Sequence, residues 1–280
     1  MSYTKIKSHA KVNLALNVVG RSKSFHRIES IISFLDLHDE IKIKEIHSKN
    51  HKIRFIGKFS NGIKSKNTIS QLLKIIDKKK LIKRKYQIIV KKNIPSKAGL
   101  GGGSMNAASI INFFVKKKRI KIKKKKILEI SNLIGSDVKL GLYLKKLVLK
   151  PNNLIKTLSS KKNFHVLIVK PHFGCSTKKI YSKVKKFTKS EFHSFSGKML
   201  SVKFLKNMKN DLETIALNEF PKLKNLRNFL ENLTYVEFVR MTGSGSAIIA
   251  YFTSVRKCQD AKKKVKKQFR NYWCKISKTI

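Results

Sequence analysis

The sequence predicts an α+β protein of two domains, and three observations support this fold class. Apolar residues alternate with other residues over positions 12–18, which is typical of a β-strand. A glycine-rich stretch at positions 99–103 runs directly into apolar residues at helical spacing. After Pro151 the strand and helix patterns begin again, so we expect one domain over residues 1–155 and a second over residues 156–280.

The first part of the chain predicts strands, then a helix, then another strand. A dense run of β-branched residues at positions 28–35 and apolar alternation at positions 41–46 predict strands. Asn67 is a favourable N-cap for a helix whose apolar residues lie over positions 69–76. Positions 86–90 predict the strand that leads towards the glycine-rich stretch.

The later part of the chain predicts a solvated basic segment and then mixed elements. Like charges repel when they are packed together, so the run Lys116–Lys126 is expected to be a solvated turn or helix end. The elements expected after it are a helix from Ile127 to Leu133 that stops near Gly135, a strand over Phe164–Val169, a helix from near Ser176, helical spacing over residues 212–230, two strands at residues 235–241 and 247–252 joined by a turn at residues 242–246, a basic helix and a last short strand.

Composition limits the class of protein further. With 280 residues, of which 41% are hydrophobic, the chain can bury a core and is not of the disordered class. Lys and Arg number 65 against 15 Asp and Glu, and the net charge of +50 taken alone suggests a nucleic-acid or anionic-membrane partner. The basic residues are spread along the whole chain, which is also rich in Ile and Asn. Lys, Ile and Asn all have A/T-rich codons, so biased base composition explains the charge without a polyanionic partner.

The cysteines and the N-terminus indicate a cytoplasmic protein. Cys175, Cys258 and Cys274 are odd in number and lack metal-binding spacing, which suits a reducing compartment. The N-terminus lacks the pattern of a signal peptide, and residues 12–19 are too few to span a bilayer. We therefore expect no membrane partner.

The glycine-rich loop at residues 95–105 is the segment that carries the most functional information. Glycines without a Cβ allow positive φ and a close approach to a ligand, and the free N–H groups of the following helix favour phosphate. A Walker A loop is excluded because Gly103 is followed by Ser104 and Met105 rather than by Lys and Ser or Thr. A dinucleotide fingerprint is excluded because no acid follows about twenty residues on. The loop is therefore a candidate polyphosphate site.

Three further features suit the same chemistry, although each alone has a structural explanation. Lys11 and Asn13 lie in the first predicted strand, where a lysine in this lysine-rich chain is ordinarily a surface residue. Asp137 follows a helix and a glycine, where an Asp is usually a cap. The turn Gly243-Ser244-Gly245 joins two apolar strands, as in an ordinary hairpin.

In chain order these segments resemble the three signatures of the GHMP kinase superfamily. The signatures are an N-terminal strand with Lys and Asn, a central P-x-x-x-G-L-G-G-G-S loop and a C-terminal glycine turn. Other segments are similar to the branch that acts on a cytidine-diphosphate-linked methylerythritol in the non-mevalonate route to isoprenoid precursors. The matching segments are Ala10-Lys11-Val12-Asn13-Leu14, Phe25-His26-Arg27-Ile28, Phe34-Leu35-Asp36-Leu37-His38-Asp39, Gly135-Ser136-Asp137-Val138 and Asn210-Asp211-Leu212-Glu213.

The resemblance implies a fold, a reaction and a set of site residues. The fold is the two-domain GHMP kinase fold, with an N-terminal domain like the second domain of ribosomal protein S5 and a ferredoxin-like C-terminal domain. The reaction transfers the γ-phosphoryl group of ATP, with Mg²⁺, to the 2-hydroxyl group of the small-molecule substrate. The implied catalytic residues are Asp137 as base and Lys11 beside it; the implied ATP-binding residues are Pro95, Ser96, Lys97, Ala98, Gly99, Leu100, Gly101, Gly102, Gly103, Ser104 and Met105; the implied substrate-binding residues are Asn13, Phe25, His26, Tyr181, Gly243, Ser244 and Gly245; and Ser104 is the candidate contact to the metal.

The resemblance also implies a separate site for the cytosine ring of the substrate. The resemblance implies a cytosine ring held between Phe25 and Tyr181, with His26 hydrogen-bonded to the base edge.

The chain has His9 where the family has Pro, Met105 where it has Ser, Lys139 where it has Pro, and Ser246 where it has Ala. The loss of a hydroxyl at Met105 is expected to weaken ATP binding modestly, and Lys139 places a charge close to Asp137.

Two other functions stay open on the sequence. One is a nucleic-acid-binding protein that uses an S5-like fold and the +50 charge. Such binding would weaken steeply with salt and would not need Asp137. The other is a GHMP kinase with another acceptor, such as homoserine. We expect the cytidine-linked substrate and no specific nucleic-acid partner.

Overall fold

The computed structural model describes residues 2–22, 25–192 and 195–280, and within it the chain divides into two compact units. Each unit is assembled from segments that are not contiguous in sequence. Unit 1 comprises residues 1–11, 37–96 and 101–144, and unit 2 comprises residues 12–36, 97–100 and 145–280. The expected division at residues 155 and 156 stays a prediction.

Unit 1 is built on the ends of two long strands that pass from one unit into the other. The strands are β1 (Thr4–Arg21) and β2 (His26–Ile46), and they pair with each other. The remaining elements of unit 1 are β3 (Lys52–Ile56), α1 (Thr68–Lys78), β4 (Lys85–Lys91), α2 (Gly102–Lys116), α3 (Lys124–Ile134) and α4 (Val138–Gly141).

Strand pairing and a shared apolar core hold the elements of unit 1 together. Residues 40–46 of β2 pair antiparallel with β4, and β3 pairs parallel with β4. Apolar residues of β2, β4 and helices α1 to α3 form one buried cluster. Asn67 caps α1, since its side chain accepts hydrogen bonds from the amides of Ile69 and Ser70, and the Ser70 hydroxyl completes a capping box.

Unit 2 contains an antiparallel sheet covered by helices. Its elements are β5 (Leu147–Leu149), β6 (Ile155–Thr157), β7 (His165–Lys170), α5 (Thr177–Ser182), α6 (Val202–Asn207), α7 (Asp211–Glu219), α8 (Pro221–Glu231), β8 (Phe238–Met241), β9 (Ile248–Phe252), α9 (Val255–Gln268) and β10 (Trp273–Lys278). Four strands form an antiparallel sheet in the order β10-β7-β9-β8. Helices α7, α8 and α9 pack their apolar residues against this sheet in a second buried cluster. Residues 30–32 of β2 also belong to unit 2, where they pair with β5.

The structure confirms the α+β class and most of the expected elements. The basic run Lys116–Lys126 comprises the last residue of α2, the segment that joins α2 to α3 and the first turn of α3, which agrees with the expected solvated turn or helix end. The helical spacing expected over residues 212–230 corresponds to two helices, α7 and α8, because Pro221 begins a new helix. Phe220 has an extended φ of −133°, and proline is favoured at a first helical position. The strand expected over residues 235–241 is shorter than expected, because β8 begins at Phe238. Tyr235 lies before it with a positive φ of 65°.

A search for membrane-spanning helices found no candidate among residues 2–22, 25–192 and 195–280. Each described helix is too short or too polar to cross a bilayer.

Candidate active site

The glycine-rich loop of unit 1 leads directly into the N-terminus of α2. Gly101 is the N-cap residue, with φ of 69°, a left-handed conformation that glycine adopts without steric cost. The amide of Met105 donates to the carbonyl of Gly101 at 2.9 Å, which is the first bond of the helix. The amides of Gly102, Gly103 and Ser104 therefore have no helical acceptor and lie at the positive end of the helix dipole. This arrangement suits a phosphate group.

Lys11 and Asp137 meet beside this helix N-terminus. Lys11 Nζ lies 3.3 Å from Asp137 Oδ2, and the exposed fractions of the two side chains are 5% and 34%. A Cβ added at Gly101 would lie only 2.8 Å from Lys11 Cγ, so the stem of the lysine passes directly along the loop. A partly exposed carboxylate beside a buried lysine can act as a proton acceptor for a bound hydroxyl group.

Ser104 lies on the same side of unit 1 as the turn that carries Asp137. Its Oγ is 3.9 Å from the position that a Cβ at Gly135 would occupy, two residues before Asp137. The hydroxyl of Ser104 and the carboxylate of Asp137 thus place oxygen atoms near the free amides of α2. The part of the chain that the structure describes contains no cluster of three or more His, Cys, Asp or Glu that could hold a metal by itself.

Asp39 organises the entry to the loop, and the sequence reasoning did not single it out. Its buried carboxylate accepts hydrogen bonds from the amides of Asn93 and Ile94 at 2.8 and 2.9 Å and from Asn106 Nδ2 at 3.0 Å, and it pairs with Lys92 Nζ. Asp39 therefore ties the end of β4 to helix α2. The signal in the sequence was its place at the end of the family segment Phe34-Leu35-Asp36-Leu37-His38-Asp39.

The residues Lys97 to Leu100 belong to unit 2, where they lie against the C-terminal glycine turn. The carbonyls of Lys97 and Ala98 accept from the amides of Ser246 and Ala247, each at 3.3 Å. Gly99 has φ of 74°, and a Cβ there would lie 1.9 Å from the carbonyl oxygen of Thr242. Only glycine fits this approach.

Thr242 connects this turn to the first strand, and the sequence reasoning missed it. Its hydroxyl donates to the carbonyl of Gly99 at 3.2 Å and accepts from the amide of Asn13 at 3.1 Å. The side chain of Asn13 donates to Ser30 Oγ at 2.8 Å. The predicted residues Gly243, Ser244 and Gly245 are buried in the turn. Their assignment to substrate binding stays a prediction.

Two of the three residues expected to hold the base lie close together in unit 2. The ring centroids of His26 and Tyr181 are 5.0 Å apart, and the ring centroids of His26 and Phe187 are 6.5 Å apart. Phe25 is 74% exposed, which agrees with its expected position in a polar loop. Lys23 and Ser24 of that loop lie outside the described residues. Burial, and next the charge of Arg21, lowers the pKa of His26.

The remaining members of the predicted loop and the family departures differ in their environment. Pro95, Ala98 and Leu100 are buried, whereas Ser96 and Lys97 are exposed. Met105 is buried, and its sulfur lies 3.0 Å from the position of a Cβ at Gly141. A serine would leave that volume empty, so Met105 contributes packing between α2 and α4. Lys139 is also buried, and burial lowers the pKa of its ammonium group.

Comparison with known proteins identifies the family. Residues 67–142 match the GHMP kinases N terminal domain. A protein of Pelagibacter ubique named 4-diphosphocytidyl-2-C-methyl-D-erythritol kinase is 54% identical over 281 aligned residues, which cover 100% of both chains. The crystal structure of a 4-(cytidine 5'-diphospho)-2C-methyl-D-erythritol kinase superimposes with a TM-score of 0.77 at 20% identity, over 98% of this chain and 99% of that one.

The fold is shared more widely than the sequence. The crystal structure of homoserine kinase from Cytophaga hutchinsonii has a TM-score of 0.73 at 16% identity and covers 100% of this chain and 95% of its own. The fold alone therefore confirms the GHMP kinase architecture without separating its branches, and the sequence identity of the Pelagibacter relative separates them. The chain belongs to the 4-diphosphocytidyl-2-C-methyl-D-erythritol kinase family of the GHMP kinases.

Proposed function

We propose that this protein transfers the γ-phosphoryl group of ATP to the 2-hydroxyl group of 4-diphosphocytidyl-2-C-methyl-D-erythritol, in the non-mevalonate route to isoprenoid precursors. The full-length relative of 54% identity carries the name of that kinase. The observation of this structure that supports the reaction most directly is the pair of Lys11 and Asp137 beside the N-terminus of α2. Phosphoryl transfer needs positioning and electrostatic stabilisation, which this set of groups supplies.

Asp137 is the base of the proposed reaction. Its carboxylate accepts the proton of the 2-hydroxyl group as that oxygen bonds to the γ-phosphorus, and the bond from phosphorus to the bridging oxygen of ADP breaks. Lys11, whose Nζ lies 3.3 Å from the Asp137 carboxylate, balances the negative charge of the transferring group. The amides of Gly102, Gly103 and Ser104 hold phosphate oxygens at the end of the helix dipole.

Mg²⁺ fits this site as a partner of the ATP phosphates. Mg²⁺ is usually held by one or two carboxylates together with substrate phosphates, and it prefers oxygen ligands. Ser104 Oγ is the protein oxygen that would hold it together with the ATP phosphates, and the ion would neutralise charge on those phosphates. Removal of divalent ions by a chelator should abolish turnover, and added Mg²⁺ should restore it.

The cytidine end of the substrate is proposed to bind in unit 2. Phe25 and Tyr181 would stack on the base and His26 would bond its edge, which is supported by the exposure of Phe25 and the proximity of the His26 and Tyr181 rings. Asn13 and the turn Gly243-Ser244-Gly245 are proposed contacts to the rest of the substrate. The proposal includes a cytoplasmic location and no nucleic-acid or membrane partner.

A panel of acceptors tests reaction and substrate together. ADP release would be measured with 4-diphosphocytidyl-2-C-methyl-D-erythritol, with homoserine, with mevalonate and with methylerythritol that lacks the cytidine part. We expect turnover with the cytidine-linked acceptor at a kcat/KM far above that of the others. Preference for homoserine or mevalonate would contradict the proposed substrate, and no ADP release with any acceptor would contradict the proposed reaction.

A further inference from the structure

Asn210, at the start of helix α7, uses the two ends of its side chain for different purposes. It is buried, and its Oδ1 caps the helix by accepting from the amide of Leu212 at 3.0 Å. Its Nδ2 donates to two carbonyls outside the helix, those of Met241 and Gly243, each at 2.8 Å. The capping oxygen and the donor nitrogen therefore serve separate parts of unit 2.

The two carbonyls that Asn210 holds lie on either side of Thr242. A residue whose neighbouring carbonyls are both fixed by one buried donor has little freedom to rotate its backbone. The orientation of Thr242 is thereby set, and the Thr242 hydroxyl bonds the carbonyl of Gly99 at 3.2 Å. Its carbonyl oxygen lies where a Cβ of Gly99 would be.

The same turn also holds the two residues that precede Gly99. The amides of Ser246 and Ala247 donate to the carbonyls of Lys97 and Ala98. The stretch from Lys97 to Gly99 thus rests on the turn through three hydrogen bonds, and it continues in sequence into Gly101 and the amides at the start of α2. A shift of the turn would be passed to the backbone that precedes these amides.

We infer that Asn210 is a positioning residue for the phosphate loop, acting through the Thr242 turn. The inference rests on the proposed function, because it assumes that the loop binds the phosphates of ATP. The side-chain hydrogen bonds of Asn210 reach Met241, Gly243 and Leu212, so it would act on the loop through the turn. Its effect should appear in nucleotide binding rather than in the chemical step.

The substitution Asn210→Asp separates the two uses of the side chain. Aspartate keeps an oxygen that caps α7, but it has no hydrogen to donate and places a carboxylate oxygen against two carbonyls. Lost hydrogen bonds of this kind correspond to an increase of about ten- to a hundredfold in the Kd for a non-hydrolysable ATP analogue. We expect the same increase in the KM for ATP.

A matched control lies next in sequence. Asp211 also belongs to the start of α7, but its Oδ2 accepts from the amide of Val18 and the hydroxyl of Thr188, each at 2.7 Å, and not from the turn. Asp211→Asn should lower Tm in a comparable way and leave the Kd for the ATP analogue within about twofold of wild type. If both variants weaken nucleotide binding equally, Asn210 acts only through the stability of α7 and the inference is wrong.

A second pair of variants covers the case in which Asn210→Asp fails to fold. Thr242→Val removes the hydroxyl that bonds Gly99 at nearly constant volume, whereas Thr242→Ser keeps it. We expect weaker binding of the analogue in the valine variant and recovery in the serine variant; equal affinity in both would overturn the inference. Because analogue binding needs no acceptor, a wild type that binds it but does not phosphorylate the cytidine substrate would contradict the proposed function alone. A wild type that does not bind the analogue would contradict both.

Discussion

At the scale of single residues, the proposed chemistry depends on a few side chains whose surroundings differ from those of the many solvated lysines. Lys11 has a 5% exposed side chain and a carboxylate partner, in a chain with 65 Lys and Arg. Asp137 is one of only 15 acidic residues and remains open to solvent over a third of its side chain. Burial of the cation and access to the carboxylate are what a base beside a transferring phosphoryl group requires.

Replacing the base should slow the chemical step without changing nucleotide binding. Asp137→Asn preserves shape but cannot accept the proton, so we expect kcat to fall by about 10²–10⁴. The Kd for an ATP analogue should hardly change, since the phosphates are proposed to bind the free amides of α2 instead. Asp260→Asn is the control, because Asp260 is an exposed residue of α9 that pairs with Lys263. A near-normal kcat in Asp137→Asn would show that another group is the base.

Phe25 should contribute affinity for the cytidine substrate alone. Stacking of a base on an aromatic ring contributes about 1–3 kcal/mol, so Phe25→Ala should raise the KM for this substrate by about tenfold to a hundredfold. The KM for ATP should move little. Tyr235→Ala removes another exposed aromatic ring and should leave both KM values unchanged. If Phe25→Ala raised both KM values equally, the base-stacking role would be rejected.

The pKa of His26 predicts how substrate binding depends on pH. Burial and the charge of Arg21 lower this pKa from its ordinary value of 6.5, so the ring is neutral at neutral pH. A neutral imidazole has one acceptor nitrogen, which protonation removes. We expect the KM for the cytidine substrate to be constant above about pH 7 and to rise only in more acidic solution. His26→Gln should lack this rise, and an identical acid limb in that variant would exclude His26 as its source.

At the scale of elements, the site depends on a loop and a turn that need backbone conformations favoured by glycine. Gly99 and Gly101 both have positive φ, and each has a neighbour within 3 Å of the position of an added Cβ. For Gly99 the neighbour is the backbone of Thr242, which cannot rotate away as a side chain can. Close packing between two backbone segments therefore makes Gly99 the more restrictive of the two positions.

A pair of alanine variants separates backbone strain from the close approach. Gly62 has φ of 75° with nothing within 4 Å of its Cβ position, whereas Gly99 has φ of 74° and a contact at 1.9 Å. A left-handed conformation costs an alanine roughly 1–2 kcal/mol at either position. Gly62→Ala should lose about that much stability and keep its KM for ATP, as measured by denaturation and steady-state kinetics. Gly99→Ala should in addition raise the KM for ATP severalfold; equal kinetics in the two variants would contradict this account.

At the scale of the whole molecule, the charge of +50 is the most unusual property, and it need not serve the kinase reaction. The proposed catalytic groups form a small set of buried or half-buried contacts, whereas the basic run between α2 and α3 lies in a turn. Solvated lysines of this kind attract polyanions through a sequence-independent, salt-sensitive interaction.

Salt should therefore separate nucleic-acid binding from catalysis. We expect RNA binding to be weak. The logarithm of its binding constant should fall linearly with the logarithm of salt concentration, and binding should be lost near about 0.15 M salt. Turnover of the cytidine substrate should persist at that ionic strength. The measurement is RNA affinity and kcat/KM over one salt series. Tight, sequence-selective RNA binding without kinase activity would instead favour the hypothesis of a nucleic-acid-binding protein.

Much of the fold could be predicted from the sequence, because the signals are local. The N-cap at Asn67, the glycines before α2 and the alternation in β1 each depend on residues within a few positions of one another. The break at Pro221 is also a local signal, which the helical spacing on both sides concealed. The family motifs likewise named Lys11 and Asp137 before the structure placed them together.

The sequence by itself determined most of the elements and the family, and it marked the glycine-rich loop as a candidate phosphate site. Only the tertiary structure decided that Asp39 reaches Asn93, Ile94 and Asn106, and that Asn210 and Thr242 support the backbone before Gly101. These contacts join segments that lie tens to more than a hundred positions apart in the chain. Their partners are chosen by how the strands and helices pack, because a buried polar group must find whichever donor or acceptor the fold brings near it.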